Sequence, residues 1–205
     1  MNEKPILFNA EMVNAILSGR KTQTRRIISE KTLHLFGVAA SAGECHPIEL
    51  CDQRSQSYYL DFCPLGKPGD QLWVREAFAT GLCTESTLAY RATHKPEDLE
   101  EGWGETIKWT PSIHMPRWAS RINLLITGVR VERLNDISEQ DAISEGLECY
   151  VDDGVPYYGP FNNGDCRPDV VFRGLWDSIY GKKEGENWQA NPWVWVINFE
   201  RMEAK

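Results

Sequence analysis

Two segments alternate apolar with polar or small residues for ten or more positions, and they limit what this chain can become. "NPWVWVINFERM" sets Trp193, Trp195, Ile197 and Phe199 on one side of a strand, and "RINLLITGVRVERL" reads as one long strand or two, broken near Gly128. Shorter strands are predicted from Gln71 to Phe78, after a Gly69-Asp70 turn, and at "LAYRA" (88–92). Three helices carry their own punctuation. The first is capped by Asn9, turns Val13, Ile16 and Leu17 to one face, and stops at Gly19. In "DISEQDAISEG" Asp136 caps, Glu139 completes a capping box and Gly146 ends the helix. In "PDVVFRGLWDSIYG" Val171, Leu175 and Ile179 share a face and Gly181 stops it. Short connections favour antiparallel pairing, and the order is no βαβ repeat. The prediction is an α+β fold: a small β-barrel or strongly bent sheet plugged by about three helices.

Residues 30–66, 93–118 and 148–168 sustain no period and read as large loop insertions in one domain spanning 1–205. The chain is 41% hydrophobic and 25% charged, ordinary globular composition with neither internal repeat nor low-complexity tract. Its net charge of -8 argues against binding long duplex nucleic acid, which relies on many Lys/Arg–phosphate contacts. A nucleoside, nucleotide or short single strand in a locally basic pocket is still allowed. Eight Trp and seven Tyr supply flat amphipathic surface as well as core. No apolar run approaches the ~20 residues of a membrane helix, and "MNEKPILFNA" lacks the pattern of a signal peptide. A cytoplasmic protein with no membrane partner is expected, its six Cys free thiols. Cys45, His46, Cys51 and Cys63 offer a rival zinc set, but adjacent Cys and His rarely reach one metal and the spacing is no standard finger.

"ILSGRKTQTRR" (16–26) packs basic groups and two threonines behind the first helix. Arg20 and Lys21 suit the negative helix end. A phosphate loop, G-x-x-x-x-G-K-[ST], would need glycines at 15 and 20, where the chain has Ala15 and Arg20. A solvated helix end leaves Thr22, Thr24, Arg25 and Arg26 unexplained.

"GRKTQTRR" fits G-x-K-x-x-[ET]-x-R through Gly19, Lys21, Thr24 and Arg26, and so resembles the signature loop of the ASCH superfamily, a PUA-like β-barrel. The form with Thr at the fourth place is similar to the small amidohydrolases that remove the acyl group from N(4)-acetylcytidine, and Glu145 matches their functional Glu. "PLGKPGDQLWVREAF" and "PSIHMPRWASRI" are similar to phage and prophage ASCH proteins, which leaves a phage or host protein partner as a further expectation. The resemblance implies a Thr–Lys–Glu site without cofactor or metal. Thr24 attacks, Lys21 deprotonates it, and Glu145 orients Lys21 or shuttles the proton. Lys21 serves as base if burial and Arg20, Arg25 and Arg26 lower its pKa. The alternatives implied are a non-catalytic RNA or modified-base binder and a ribonuclease.

Around this centre a substrate-binding set is expected. Arg20 belongs to this set, and Arg26 and Arg75 suit an oxyanion or a sugar-phosphate. On the strand from Gln71, Trp73 and Arg75 share one face while Leu72, Val74 and Glu76 take the other, so Glu76 either lines the pocket or faces solvent at an edge. "HMPRWASR" adds Arg117, Trp118 and Arg121, groups that stack on bases.

Overall fold

The structure is a computed structural model and describes residues 2–50, 52–81, 87–94, 107–159 and 164–203. Nine strands and five α-helices occur among the described residues. β1 (Glu3–Leu7), β3 (Gln71–Arg75), β6 (Asn123–Arg133), β9 (Trp193–Arg201) and β2 (Gln23–Ile27) form one sheet in the order β1-β3-β6-β9-β2. β1 and β3 are parallel and the other neighbours antiparallel. β4 (Phe78–Thr80) with β5 (Leu88–Tyr90), and β7 (Cys149–Asp152) with β8 (Val155–Tyr158), are two-stranded.

β9 buries both faces from Trp193 to Ile197, a stretch that holds no polar residue. Trp193, Trp195, Ile197 and Phe199 enter one core with Val13 and Ile16 of α1 (Ala10–Leu17), Phe36 of α2 (Glu30–Ser41) and Tyr59 of α3 (Gln53–Leu60). Val194 and Val196 enter a second core with Ala142 of α4 (Glu139–Ser144) and Phe172 and Trp176 of α5 (Pro168–Tyr180). The sheet is thus covered on both sides at its β9–β2 end.

The closed barrel and the count of three helices are corrected. The sheet ends at β1 and β2, which share no ladder. It does curl: Arg26 of β2 donates Nη2 to the Leu7 carbonyl of β1 at 3.0 Å. α1 is the link between those two strands, and its Val13 and Ile16 enter the main core. β6 is one strand rather than two, with a bulge between Ile126 and Gly128, and such a bulge bends its strand. Residues 30–66 hold α2 and α3, capped by the Ser29 and Asp52 side chains. α3 is polar in sequence and escapes the period because its inward face is only Ser55 and Tyr59, one turn apart.

Smaller corrections follow the same logic. α4 is capped by Ser138, which accepts from the Asp141 amide, two residues after the expected Asp136. α5 turns Phe172 and Trp176 to the core, and Ile179 is exposed. The strand predicted from Gln71 to Phe78 divides, β3 ending at Arg75 and β4 opening at Phe78. The loops at 93–118 and 148–168 include residues 95–106 and 160–163, which lie outside the described residues. Among the described residues no helix is long and apolar enough to cross a membrane.

Candidate functional site

Gly19, at φ +78°, turns the chain out of α1, and Lys21 then lies beside the end of α4. The Lys21 amide donates to Ala15 O and the Thr22 amide to Ser144 O. The two residues that lead into β2 are thus tied to the ends of α1 and α4. Gly146 makes the approach possible. A Cβ there would stand 2.8 Å from the Lys21 Cβ and 2.9 Å from the Ala15 Cβ, at φ +99°. Gly146→Ala should cost about 1–3 kcal/mol from the backbone alone, read as a lowered urea midpoint, and should displace Lys21.

Lys21 Nζ donates to Glu145 Oε2 at 2.7 Å and to the Glu145 carbonyl at 2.8 Å. The other carboxylate oxygen, Oε1, accepts from Arg25 Nη1 at 3.0 Å. Lys21, Thr24, Arg25 and Glu145 are all buried. Arg25 also reaches Gln23, Glu132 and Asp141, and Arg130 pairs with the last two. Arg26 makes no ion pair among the described residues. It donates Nη1 to Thr24 Oγ1 at 2.7 Å and to the Arg25 carbonyl at 2.9 Å.

Lys21, Arg25 and Arg130 thus pair with Glu132, Asp141 and Glu145, and Arg26 stands by without an ion pair of its own among the described residues. Burial pushes the Lys21 ammonium below its ordinary range; Glu145 pulls it back up, and Arg26 and Arg25 push it down again.

By cross-strand pairing, Thr24 and Arg26 share a face with Ile197 and Trp195, whereas Gln23 and Arg25 share the other with Asn198 and Val196. Phe8 closes the Thr24 side. The Arg26 guanidinium lies 5.2 Å and Lys21 Nζ 5.7 Å from its ring centre. Phe8 also lines a cleft of about 440 Å³, with Asn9, Glu11, Glu76, Arg91 and Ser112.

The expected substrate-binding residues fall into separate groups. Glu76 and Arg121 are together: Glu76 is buried, lines the cleft and pairs with Arg121. Trp73, Arg75 and Arg117 stand on the opposite face of β3, with the Arg75 and Arg117 guanidinium groups 5.5 and 5.9 Å from the Trp73 ring centre. Arg75 donates to the Ile113 carbonyl, Arg117 pairs with Glu3, and Trp118 is 70% exposed. These four belong to an outer surface, not to the Lys21 centre. Arg20 turns away too, donating to Gly146 O and reaching Glu148. It pins the end of α4 and is not among the groups that lower the Lys21 pKa.

Sequence reasoning missed Phe8 and Arg91 and gave Arg25 too small a part. Phe8 precedes the Asn9 cap and enters the core with Val13, the pattern of a hydrophobic staple, so its sequence signal is structural. Of the rival zinc residues, Cys63 is in the main core with Cys45 packed against that core, His46 Nδ1 is 3.1 Å from Ser55 Oγ, and Cys51 lies outside the described residues. Among the described residues, no three His, Cys, Asp or Glu are grouped to hold a metal.

Comparison with family models finds no match, and comparison with curated proteins finds none. Among solved structures the chain is similar to the ASCH domain from Lactobacillus crispatus JV V101, at 14% identity, over 98% of this chain and 79% of that one, with a TM-score of 0.40. An overlap that low carries neither fold nor function across, so the reading rests on the geometry of this chain.

Proposed function

We propose that the chain is a single ASCH-type, PUA-like domain with insertions near 30–66, 93–118 and 148–168, and that Lys21, Thr24 and Glu145 hydrolyse the acyl amide of N(4)-acetylcytidine or a related modified nucleoside or nucleotide. The observation that carries this reading is a lysine held by one carboxylate, whose burial, with a smaller push from Arg26 and Arg25, favours its neutral form. An amine whose pKa is lowered in this way is more readily available as a base. Thr24 Oγ attacks the acyl carbon while Lys21 takes its proton. The C–N bond breaks as the lysine returns that proton to the departing N4 amine. Water then cleaves the Thr24 ester, again with Lys21 as base, and releases the acid. Arg26, already on the Thr24 oxygen, supplies positive charge where the oxyanion develops. Glu145 orients Lys21.

A second reading, a binder of single-stranded RNA, is favoured by one other observation: the outer surface of Trp73, Arg75 and Arg117 with Trp118 exposed nearby. Rings and guanidinium planes are what bases stack on.

The test is an ultraviolet screen of N-acylated nucleosides with Lys21→Ala as control. The expected result is conversion of an acylcytidine by the unaltered chain and none by the variant. Equal conversion by both would remove the centre from the reaction. Cleavage of labelled single-stranded RNA in a parallel arm would point to a ribonuclease instead.

A further inference from the structure

The charge network beside the Lys21 centre has a buried member that the proposed hydrolysis does not use. Arg25 is 2% exposed, and each N–H of its two terminal nitrogens has an acceptor. Nη1 donates to Gln23 Oε1 and, at 3.0 Å, to Glu145 Oε1. Nη2 donates to Glu132 Oε1 and, at 3.3 Å, to Asp141 Oδ2. The third nitrogen, Nε, is buried. Arg25 also belongs to the face of β2 opposite Thr24. It is therefore not placed to bind a substrate. What it does hold is one oxygen of Glu145, while Lys21 takes the other. Its partners lie on β2, on β6, in α4 and at the end of α4. A planar fork of donors reaches them all, where the single ammonium of a lysine does not.

We propose that Arg25 is a positioning residue of this site. It fixes Glu145 so that one oxygen alone serves Lys21, and through that shared carboxylate it sets how firmly Lys21 keeps its proton. The proposal rests on the hydrolase reading for the use made of the amine, and not for the contact itself. The charged groups that act on Lys21 are Glu145 at the end of α4 and Arg26 and Arg25 of β2, with the Phe8 ring centre 5.7 Å from Nζ. Removing Arg25 takes away a like charge, frees the second oxygen of Glu145, and leaves Glu132 and Asp141 less neutralised. All three strengthen the hold of Lys21 on its proton. Removing the charge of Glu132 does the opposite. Glu132 stands on β6, bonded to Arg25 and Arg130, and reaches Lys21 by way of Arg25. Without it Arg25 leans harder on Glu145, and its positive charge is less compensated.

The experiment is an NMR titration of the full chain carrying lysine labelled with carbon-13 at Cε, with Lys21 assigned from the spectrum of Lys21→Met. The Lys21 midpoint is expected to rise in Arg25→Gln and to fall in Glu132→Gln. A merely structural role does not give opposite signs, because loosening the site by either substitution would admit water and raise both. An unchanged or lowered midpoint in Arg25→Gln, or an unchanged or raised one in Glu132→Gln, would overturn the proposal. Arg25→Gln strips several buried acceptors of their donor, so its melting curve is recorded; if it does not fold, Glu132→Gln decides. The acid limb of kcat/KM for an acylcytidine is expected to move with the midpoint, with a roughly tenfold or greater loss for Arg25→Gln on that limb. Opposite shifts without turnover would count against the Lys21–Thr24–Glu145 reading alone. Turnover with unshifted midpoints would count against the role of Arg25 alone.

Discussion

Glu145→Gln is expected to lower the stability of the fold by about 3–5 kcal/mol, the usual cost of removing one partner of a buried ion pair. Lys21→Met, at the other end of the same pair, is expected to cost much less. The asymmetry follows from how charge is shared. Glu145 is held by both Lys21 and Arg25, so without it two buried cations lose a partner at once. Without Lys21, Glu145 still has Arg25, and a methionine fills the space of the lysine stem. Urea unfolding of both variants at one pH measures the difference. The pH dependence has a definite sign. A lysine whose folded pKa lies below its unfolded value binds fewer protons when folded, so stability rises with pH between the two values. Glu145→Gln removes the group that raises that pKa, which widens the window downward. The deficit of this variant should shrink as pH rises through the interval between the variant's folded Lys21 pKa and that of the unaltered chain, both below the ordinary lysine range. A deficit that is the same across that range, or equal losses in the two variants, would mean that the pair carries no such linkage.

Thr24→Val is expected to reduce turnover of an acylcytidine by roughly 10³-fold or more while leaving the fold almost untouched. Valine has the outline of threonine, and the site is 1% exposed within a strand. Arg26 loses one acceptor but keeps the Arg25 and Leu7 carbonyls. Thr24→Ser, which keeps the oxygen, should retain a measurable rate. The pair of variants separates a nucleophile from a packing residue: a packing role predicts that valine is tolerated better than serine, and a nucleophile predicts the reverse. Full activity in Thr24→Val would end the covalent mechanism. A chain that only binds would show no change in affinity for either substitution.

Local signals carried well from sequence to structure, and long-range placement did not. Asn9 as cap and Gly19 as stop of α1 are visible because capping is a matter of a few adjacent residues. The alternation in β9 correctly puts Trp193, Trp195, Ile197 and Phe199 on one face. What it hides is that Val194 and Val196 are buried as well, since a second helical layer covers them. α3 stayed invisible because two inward residues, one of them a serine, make no apolar stripe. The grouping of Trp73, Arg75, Arg117 and Trp118 with Lys21 failed for a geometric reason. Alternation assigns Trp73 and Glu76 to opposite faces of β3, but which face meets the Lys21 loop depends on how the sheet curls. The meeting of Lys21 with Glu145, 124 residues apart, was reached only through the family resemblance. Nothing in the spacing of either residue alone points to the other.

The shortness of α4 has its own consequence. Six residues cannot hold a helix in water, so this one is kept wound by what it leans on: α5, the start of β2 and the lysine itself. Should it fray, even briefly, solvent reaches the ammonium and its proton affinity climbs back to that of an open-chain amine. Basicity and helix docking are then two readings of one equilibrium, and warming should silence the chemistry well before the main sheet comes apart.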